Sequence, residues 1–357
     1  MVEPLVRRSL EIIRQNQAPS GAYIASPNFK TYRYAWFRDG TFVAYAMDVM
    51  GEHDSARRFY DWSAQTIMRH AAAAGQLIVQ VERGESVQRD QGLHTRYTLD
   101  GEVGKEAWSN FQLDGFGTWL WGIVEHLRQT GDQESAARWQ NAMELIARYI
   151  ATLWQQPNYD CWEEFGDRIH VSTLAALYGG LRAYAEMGNA PSYERIAHDI
   201  RGFVLEHGIA DGHLCKFIGN PAVDAALIGA AVPYQSLALD DPRMIATIEC
   251  IERDLRREEG GVHRYRADTY YGGGEWILLT AWLGWYYQQR GDETRARDLL
   301  GWVTRHADAN FELPEQVPAH LNFPDEYASW VARWGEIAKP LLWSHAKYLV
   351  LWQALDT

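Results

Sequence analysis

Residues 159–168 read YDCWEEFGDR, with two glutamates side by side behind a tryptophan. Neighbouring side chains on a helix or strand point in different directions, so Glu163 and Glu164 cannot do the same job at the same point. A further carboxylate, Glu315, lies in LPEQVP at 313–318, where two prolines stiffen the chain and fix the group. Three other stretches mix charge with aromatic rings. YRYAWFRDG at 32–40 carries Arg38 and Asp39, and EAWSNFQLDGFG at 106–117 carries Trp108 and Asp114. HRYRADTYYGGGEW at 263–276 sets Arg264, Asp268, Tyr270 and Tyr271 against three glycines, which are costly unless backbone turns sharply or approaches something closely. Such a set suits glycoside hydrolysis: one protonated carboxylic acid donates to the leaving oxygen, and a second carboxylate activates water or attacks the sugar. Charged residues would grip hydroxyls and aromatic faces would stack on rings. Taken singly, each acid reads equally well as a solvated surface group, and Asp39 as a helix N-cap.

Helical periodicity dominates the elements that must position these residues. EPLVRRSLEIIRQN sets Leu5, Leu10 and Ile13 on one face. A punctuation pattern recurs in MGEHDSARRF, TGDQESAARW, MGNAPSYERI and RGDETRARDL: glycine after an apolar run, polar capping residues, then another helical run. About twelve helices follow, near 4–16, 40–50, 54–72, 112–130, 133–153, 172–187, 192–207, 223–230, 242–255, 274–290, 293–308 and 340–355. GQLIVQVER at 75–83 is the best strand candidate, as part of a hairpin in a long loop. Six helix pairs predict an all-α toroid, an (α/α)6 barrel with at most a small β-hairpin; an open helical solenoid is the alternative. The segments between pairs are long, aromatic and glycine-rich, and in a toroid they converge at one end. No linker divides the chain, so 1–357 reads as a single catalytic domain.

Composition narrows the class. Net charge is −13 with no basic run, which argues against nucleic acid and against an anionic membrane surface. No signal peptide or stretch long enough to span a bilayer is visible, so a cytoplasmic protein is expected. Cys161, Cys215 and Cys250 show no metal or redox spacing, and no metal or other cofactor is expected. Sixteen Trp and 19 Tyr exceed ordinary usage and lean toward a carbohydrate site.

At these residues the sequence resembles the glucoamylase family, glycoside hydrolase family 15, through five blocks in the same order. These are YRYAWFRD, the W-x5-DG of 108–115, YDCWEEF, RYRADTYYGGGEW, and LPEQV followed by WSHAKY at 343–348. The resemblance implies Glu163 as general acid, Glu164 as a contact to the sugar on the leaving-group side, and Glu315 as catalytic base. It implies that Arg38, Asp39 and Arg264 hold the non-reducing-end glucose, that Tyr32 and Trp36 line that subsite, and that Trp108 and Trp162 shape the pocket near the acid. Trp343 and His345 read equally as support for that pocket and as core packing. The family inverts by single displacement, so Glu163 is expected to act protonated and Glu315 ionised, about 6.5–9.5 Å apart with water between.

Family members split α-1,4 links, α-1,6 links or trehalose. The chain starts almost directly with a barrel helix, so neither an N-terminal β-sandwich nor a starch-binding module is expected. That architecture favours short oligosaccharides with isomaltose-type α-1,6 links. A sugar epimerase on the same barrel would use paired central histidines, whereas the 12 histidines here are scattered. A non-catalytic sugar-binding protein would not need both Glu163 and Glu315. Oligomeric state is not legible.

Overall fold

The computed structural model describes residues 3–87, 89–188 and 190–356. Its helices are α1 (Pro4–Gln15), α2 (Phe37–Val49), α3 (His53–Arg69), α4 (Ala71–Glu82), α5 (Asp114–Thr130), α6 (Gln133–Leu153), α7 (Val171–Gly188), α8 (Pro191–His207), α9 (Pro242–Leu255), α10 (Ile277–Gln289), α11 (Glu293–Arg305), α12 (Pro324–Trp334) and α13 (Leu342–Asp356). A 3-10 helix, Ala225–Ala230, lies between α8 and α9. Packing closes a ring in the order α2, α5, α7, the 3-10 helix, α10, α13 and back to α2. Each member carries one outer partner: α3, α6, α8, α9, α11 and α1 respectively. Inner and outer elements alternate along the chain, which makes an (α/α)6 barrel.

The two rings differ in sequence for a physical reason. A helix wrapped on all sides must be apolar all round, whereas one facing water needs a single stripe. Inner α10 reads ILLTAWLGWYYQQ and is buried continuously from Ile277 to Tyr287. Outer α6 buries Trp139, Ala142, Met143, Ile146 and Ile150, a helical stripe. Where α5 crosses α7 the backbones touch: a Cβ on Gly117 would sit 2.6 Å from the Ala176 carbonyl oxygen. Two of the four punctuation motifs, those before α6 and α11, cap as read, whereas Glu52 before α3 and Ala190 before α8 make no side-chain cap. Gly131 ends α5 at φ +67°, and Asp132 caps α6 by accepting from Ser135 N–H at 3.0 Å. Asn189, in the third motif, lies outside the described residues.

Strand structure is limited to three two-residue antiparallel ladders among the described residues. β1 (Ala35–Trp36) pairs with β2 (Arg96–Tyr97), β3 (Ile209–Ala210) with β4 (His213–Leu214), and β5 (Glu275–Trp276) with β6 (Gln316–Val317). Only the middle pair is a local hairpin; the other two clasp distant loops at the barrel mouth. The strand expected at 75–83 is instead helix α4. The alanine run 71–74 is strongly helix-forming, and Ala74, Leu77 and Ile78 bury at helical spacing against α6. The segment expected at 223–230 is a 3-10 helix rather than a regular one, and the expected loop 309–340 contains α12. No described helix is long and apolar enough to cross a membrane.

Candidate active site

The inner elements all begin at the same end of the barrel. The loops leading into them enclose a cavity of about 600 Å³. The ten residues to which the resemblance gives a role line it: Tyr32, Trp36, Arg38, Asp39, Trp108, Trp162, Glu163, Glu164, Arg264 and Glu315; Tyr270 lines it too, whereas Asp114 and Asp268 do not. Trp343 joins the lining, whereas His345 lies behind the wall.

Asp160 organises the two-glutamate loop. Its Oδ1 accepts from the backbone N–H of Trp162 at 3.0 Å and of Glu164 at 2.9 Å. Its carbonyl accepts from Glu163 N–H at 2.9 Å, and its own N–H donates to the Glu164 carbonyl at 3.1 Å. These bonds hold Glu163 at φ +69°, a left-handed conformation uncommon for a residue with a side chain. The neighbouring carboxylates diverge as a result. Glu163 Oε1 accepts from Trp36 Nε1 at 2.7 Å and Gln112 Nε2 at 3.1 Å. Glu164 instead accepts from the Tyr265 hydroxyl and lies 3.5 Å from Arg264 Nη2. The wrap around Glu163 is therefore not purely apolar, because β1 and the loop before α5 each aim an N–H at it. Burial pushes the Glu164 carboxyl above its ordinary range, against the pull of Arg264.

Glu315 sits opposite, on a strap bonded from both sides. Its N–H donates to the Ala338 carbonyl at 2.9 Å, and its carbonyl accepts from Ile277 N–H at 3.3 Å. Ser344 Oγ donates to the Pro314 carbonyl at 2.8 Å. His345 Nε2 accepts from Leu313 N–H at 3.0 Å, which places the ring proton on Nδ1, 2.8 Å from Ser9 Oγ. Burial pushes this histidine down to about 3, so it is a neutral brace for the strap. Glu315 Oε1 accepts from the Tyr32 hydroxyl at 2.9 Å, and Oε2 is buried without a hydrogen-bond partner among the described residues. Burial pushes the carboxyl up to about 7, although Tyr32 and Arg264 pull it down. The dry setting of the strap opposes the charge that a base must carry.

Tyr32 and Trp36, edge to face at 5.7 Å, stand between the two carboxylates, and each donates to one of them. Arg38 Nη1 donates to Gln112 at 3.0 Å and Asp114 at 3.2 Å, and its Nε lies 3.3 Å from Asp39. Burial pushes Asp39 up to about 6, with Arg38 opposing and Glu163 reinforcing. Arg264 is buried, paired with Asp268 and surrounded by the rings of Trp162, Tyr270 and Trp276 at 5.1–5.3 Å. Arg96 lies 3.7 Å from the Trp108 ring centroid and fixes that wall. Two opposed carboxylates, flanked by cations and rings in a half-enclosed cavity, can carry acid–base displacement at a sugar carbon.

The model of glycosyl hydrolases family 15 matches residues 4–313. The isomaltose glucohydrolase of Kribbella flavida is 43% identical over 355 residues, covering 97% of this chain and 91% of that protein. A solved structure described as a wild-type glycosidase, 42% identical, aligns with a TM-score of 0.95 over 99% of this chain and 96% of its own. The chain belongs to glycosyl hydrolase family 15. It is a glycoside hydrolase with the glucoamylase fold: a bacterial glucoamylase solved with acarbose aligns at TM-score 0.77 and 20% identity, over 99% of this chain and 56% of its own.

This family 15 site also contains residues that the sequence reading passed over. Gln112 is fully buried and joins Arg38 to Glu163 by hydrogen bonds from its two ends. Trp330 and Trp334 of α12 line the cavity, and Trp330 rests on Tyr270 at 5.0 Å. Tyr271, noted in the sequence, lies beneath α12 rather than in the cavity and donates to the Gly335 carbonyl at 2.8 Å. Gln112 lies in the 106–117 block, where a neutral amide carries neither the charge nor the ring that marks its neighbours. Trp330 and Trp334 share a helical period with Tyr327 and Val331, the signal in the sequence that could have found them.

Proposed function

We propose that this family 15 hydrolase is an inverting exo-α-glucosidase that releases β-glucose from short α-gluco-oligosaccharides, with isomaltose-type α-1,6 links preferred. The observation that carries the substrate is the 43% identity to an isomaltose glucohydrolase over nearly the whole of both chains. The cavity supports a short substrate. At about 600 Å³ it is of small-ligand size, and below it Phe42 and Trp343 stack at 5.5 Å and close the floor. A closed floor favours attack at a chain end.

In this reading Glu163 is the general acid. Its two N–H contacts fall on Oε1, which leaves Oε2 to carry the proton toward the glycosidic oxygen. As the C1–O bond breaks, water attacks C1 from the opposite face and Glu315 Oε2 takes its proton. The leaving sugar departs as an alcohol and glucose is released in the β form. Exchange with solvent restores the acid and the base. Arg38, Asp39 and Arg264 grip the non-reducing glucose with Tyr32 and Trp36, Trp108 and Trp162 shape the wall, and Glu164 meets the leaving sugar.

The described chain works as one catalytic unit in this reading. Its three cysteines are free, which suits a reducing compartment, and we place the enzyme in the cytoplasm. The substrate assignment is tested by kcat/KM on isomaltose, maltose, trehalose and soluble starch. Isomaltose is expected to lead; a higher value on starch or trehalose would reject it.

A further inference from the structure

Lys216 follows β4 in the loop that leads to the 3-10 helix, 56 residues from Asp160. Its side chain is only 4% exposed, and it does not line the cavity. The ammonium lies 3.2 Å from Asp160 Oδ2, pairs with Asp224 Oδ2, and stands 3.8 Å from the centre of the Tyr265 ring. Each contact leads to one of the adjacent glutamates. Asp160 uses its other oxygen to hold the backbone on both sides of Glu163. Asp224 accepts from Trp162 Nε1 at 3.1 Å, one residue before Glu163. Tyr265 donates its hydroxyl to Glu164.

A left-handed conformation is unfavourable for a side-chain-bearing residue, so Glu163 keeps it only while its surroundings over-determine the turn. Two buried carboxylates on either side of Lys216 would repel each other without the cation. Removing one member of such a buried group leaves charge uncompensated and lets the remaining members rearrange.

We propose that Lys216 is a positioning residue for hydrolysis. It holds Glu163 in its left-handed turn through Asp160 and Trp162, and aims Glu164 through Tyr265. This rests on Glu163 being the general acid. The role predicts a loss that depends on the leaving group. A sugar leaving from isomaltose must take a proton from Glu163, whereas fluoride leaving from α-glucosyl fluoride departs with little protonation and has no sugar for Glu164 to meet. Attack by water, with Glu315 taking its proton, is common to both.

The experiment compares wild type, Lys216→Met and Glu163→Gln on isomaltose and α-glucosyl fluoride. Lys216→Met is expected to lower kcat on isomaltose about 100-fold and to change the fluoride rate little. Equal loss on both substrates would mark Lys216 as merely structural, and no loss on either would also overturn the proposal. Lys216→Arg keeps the cation and should recover part of the isomaltose rate. If the methionine variant fails to fold, the arginine variant must show its smaller loss on isomaltose alone, and an equal loss on both would overturn the proposal. Glu163→Gln separates the two layers. If it shows leaving-group selectivity and Lys216→Met does not, only the lysine's role fails; if Glu163→Gln shows none, the acid assignment fails.

Discussion

Lys216, beneath the loop that carries Glu163 and Glu164, and Lys347, in the middle of inner helix α13, are both buried, yet they sit in opposite settings. Burial disfavours the Lys216 ammonium, but Asp224 and Asp160 outweigh it and hold its pKa above the ordinary lysine value. Lys347 has no hydrogen-bond partner among the described residues; Trp282 and Phe42 face its Nζ at 3.5 and 3.6 Å from their ring centres. Burial drives its pKa well below the ordinary value, and the ring faces recover only part of what water supplied. At the mouth, charges are paired and each pair orients a group around the cavity. In the barrel a lone amine fills space. The difference separates charge that sets geometry from charge that only weighs on stability.

The largest effects should come from the two carboxylates at the mouth, Glu163 and Glu315, which line one cavity. Glu163→Gln and Glu315→Gln should each lower kcat on isomaltose by about 10²–10⁴-fold or more while the circular dichroism stays that of wild type. Full activity in either variant would break the assignment.

Glu315 sharpens the comparison because it belongs to both kinds of charge. Its folded value of about 7 lies above the unfolded 4.5, so the folded state binds more protons between those pH values. Stability therefore falls as pH rises through that window, by about 3 kcal/mol in total. Glu315→Gln should melt higher than wild type at pH 8, with the gap closing toward pH 4.5. A gap independent of pH would contradict it.

The next effect is kinetic. A base must be ionised, so kcat/KM should fall as pH drops through about 7. Tyr32→Phe removes a donor to the ionised form and should move this acid limb to higher pH. An unmoved limb would separate Tyr32 from the titration.

The smallest effect lies in the barrel. Lys347→Met should leave kcat/KM unchanged and raise stability by about 1–3 kcal/mol. Its unfolded amine takes a proton that the folded one resists, so the gain should shrink as pH rises toward 10.5. A loss of activity would show that barrel charge also reaches the chemistry.

The same division explains what was legible in the sequence. Continuous apolar runs such as ILLTAWLGWYY and punctuation such as TGDQES follow local rules, so the paired helices could be read along the chain. Glu163 and Glu164 stand out in an aromatic block, and Glu315 between two prolines. Lys216 does not: it sits in HLCKFIGN, an unremarked loop, and its meaning depends on Asp160 and Asp224 meeting it in space. Gln112 is likewise defined by its partners. Helix α4 was misread because the β-branched Ile78, Val79 and Val81 outweighed the alanine run before them. Helix α12 is also written in the sequence, with Tyr327, Trp330, Val331 and Trp334 at helical spacing behind Pro324, but it is short, only partly buried and set within a long loop.

The central claim is single displacement, with Glu163 as acid and Glu315 as base. Proton NMR of the first product from isomaltose tests it most directly, read before mutarotation mixes the anomers. β-Glucose should appear first, with the α anomer growing in later; α-glucose as the initial product would contradict single displacement.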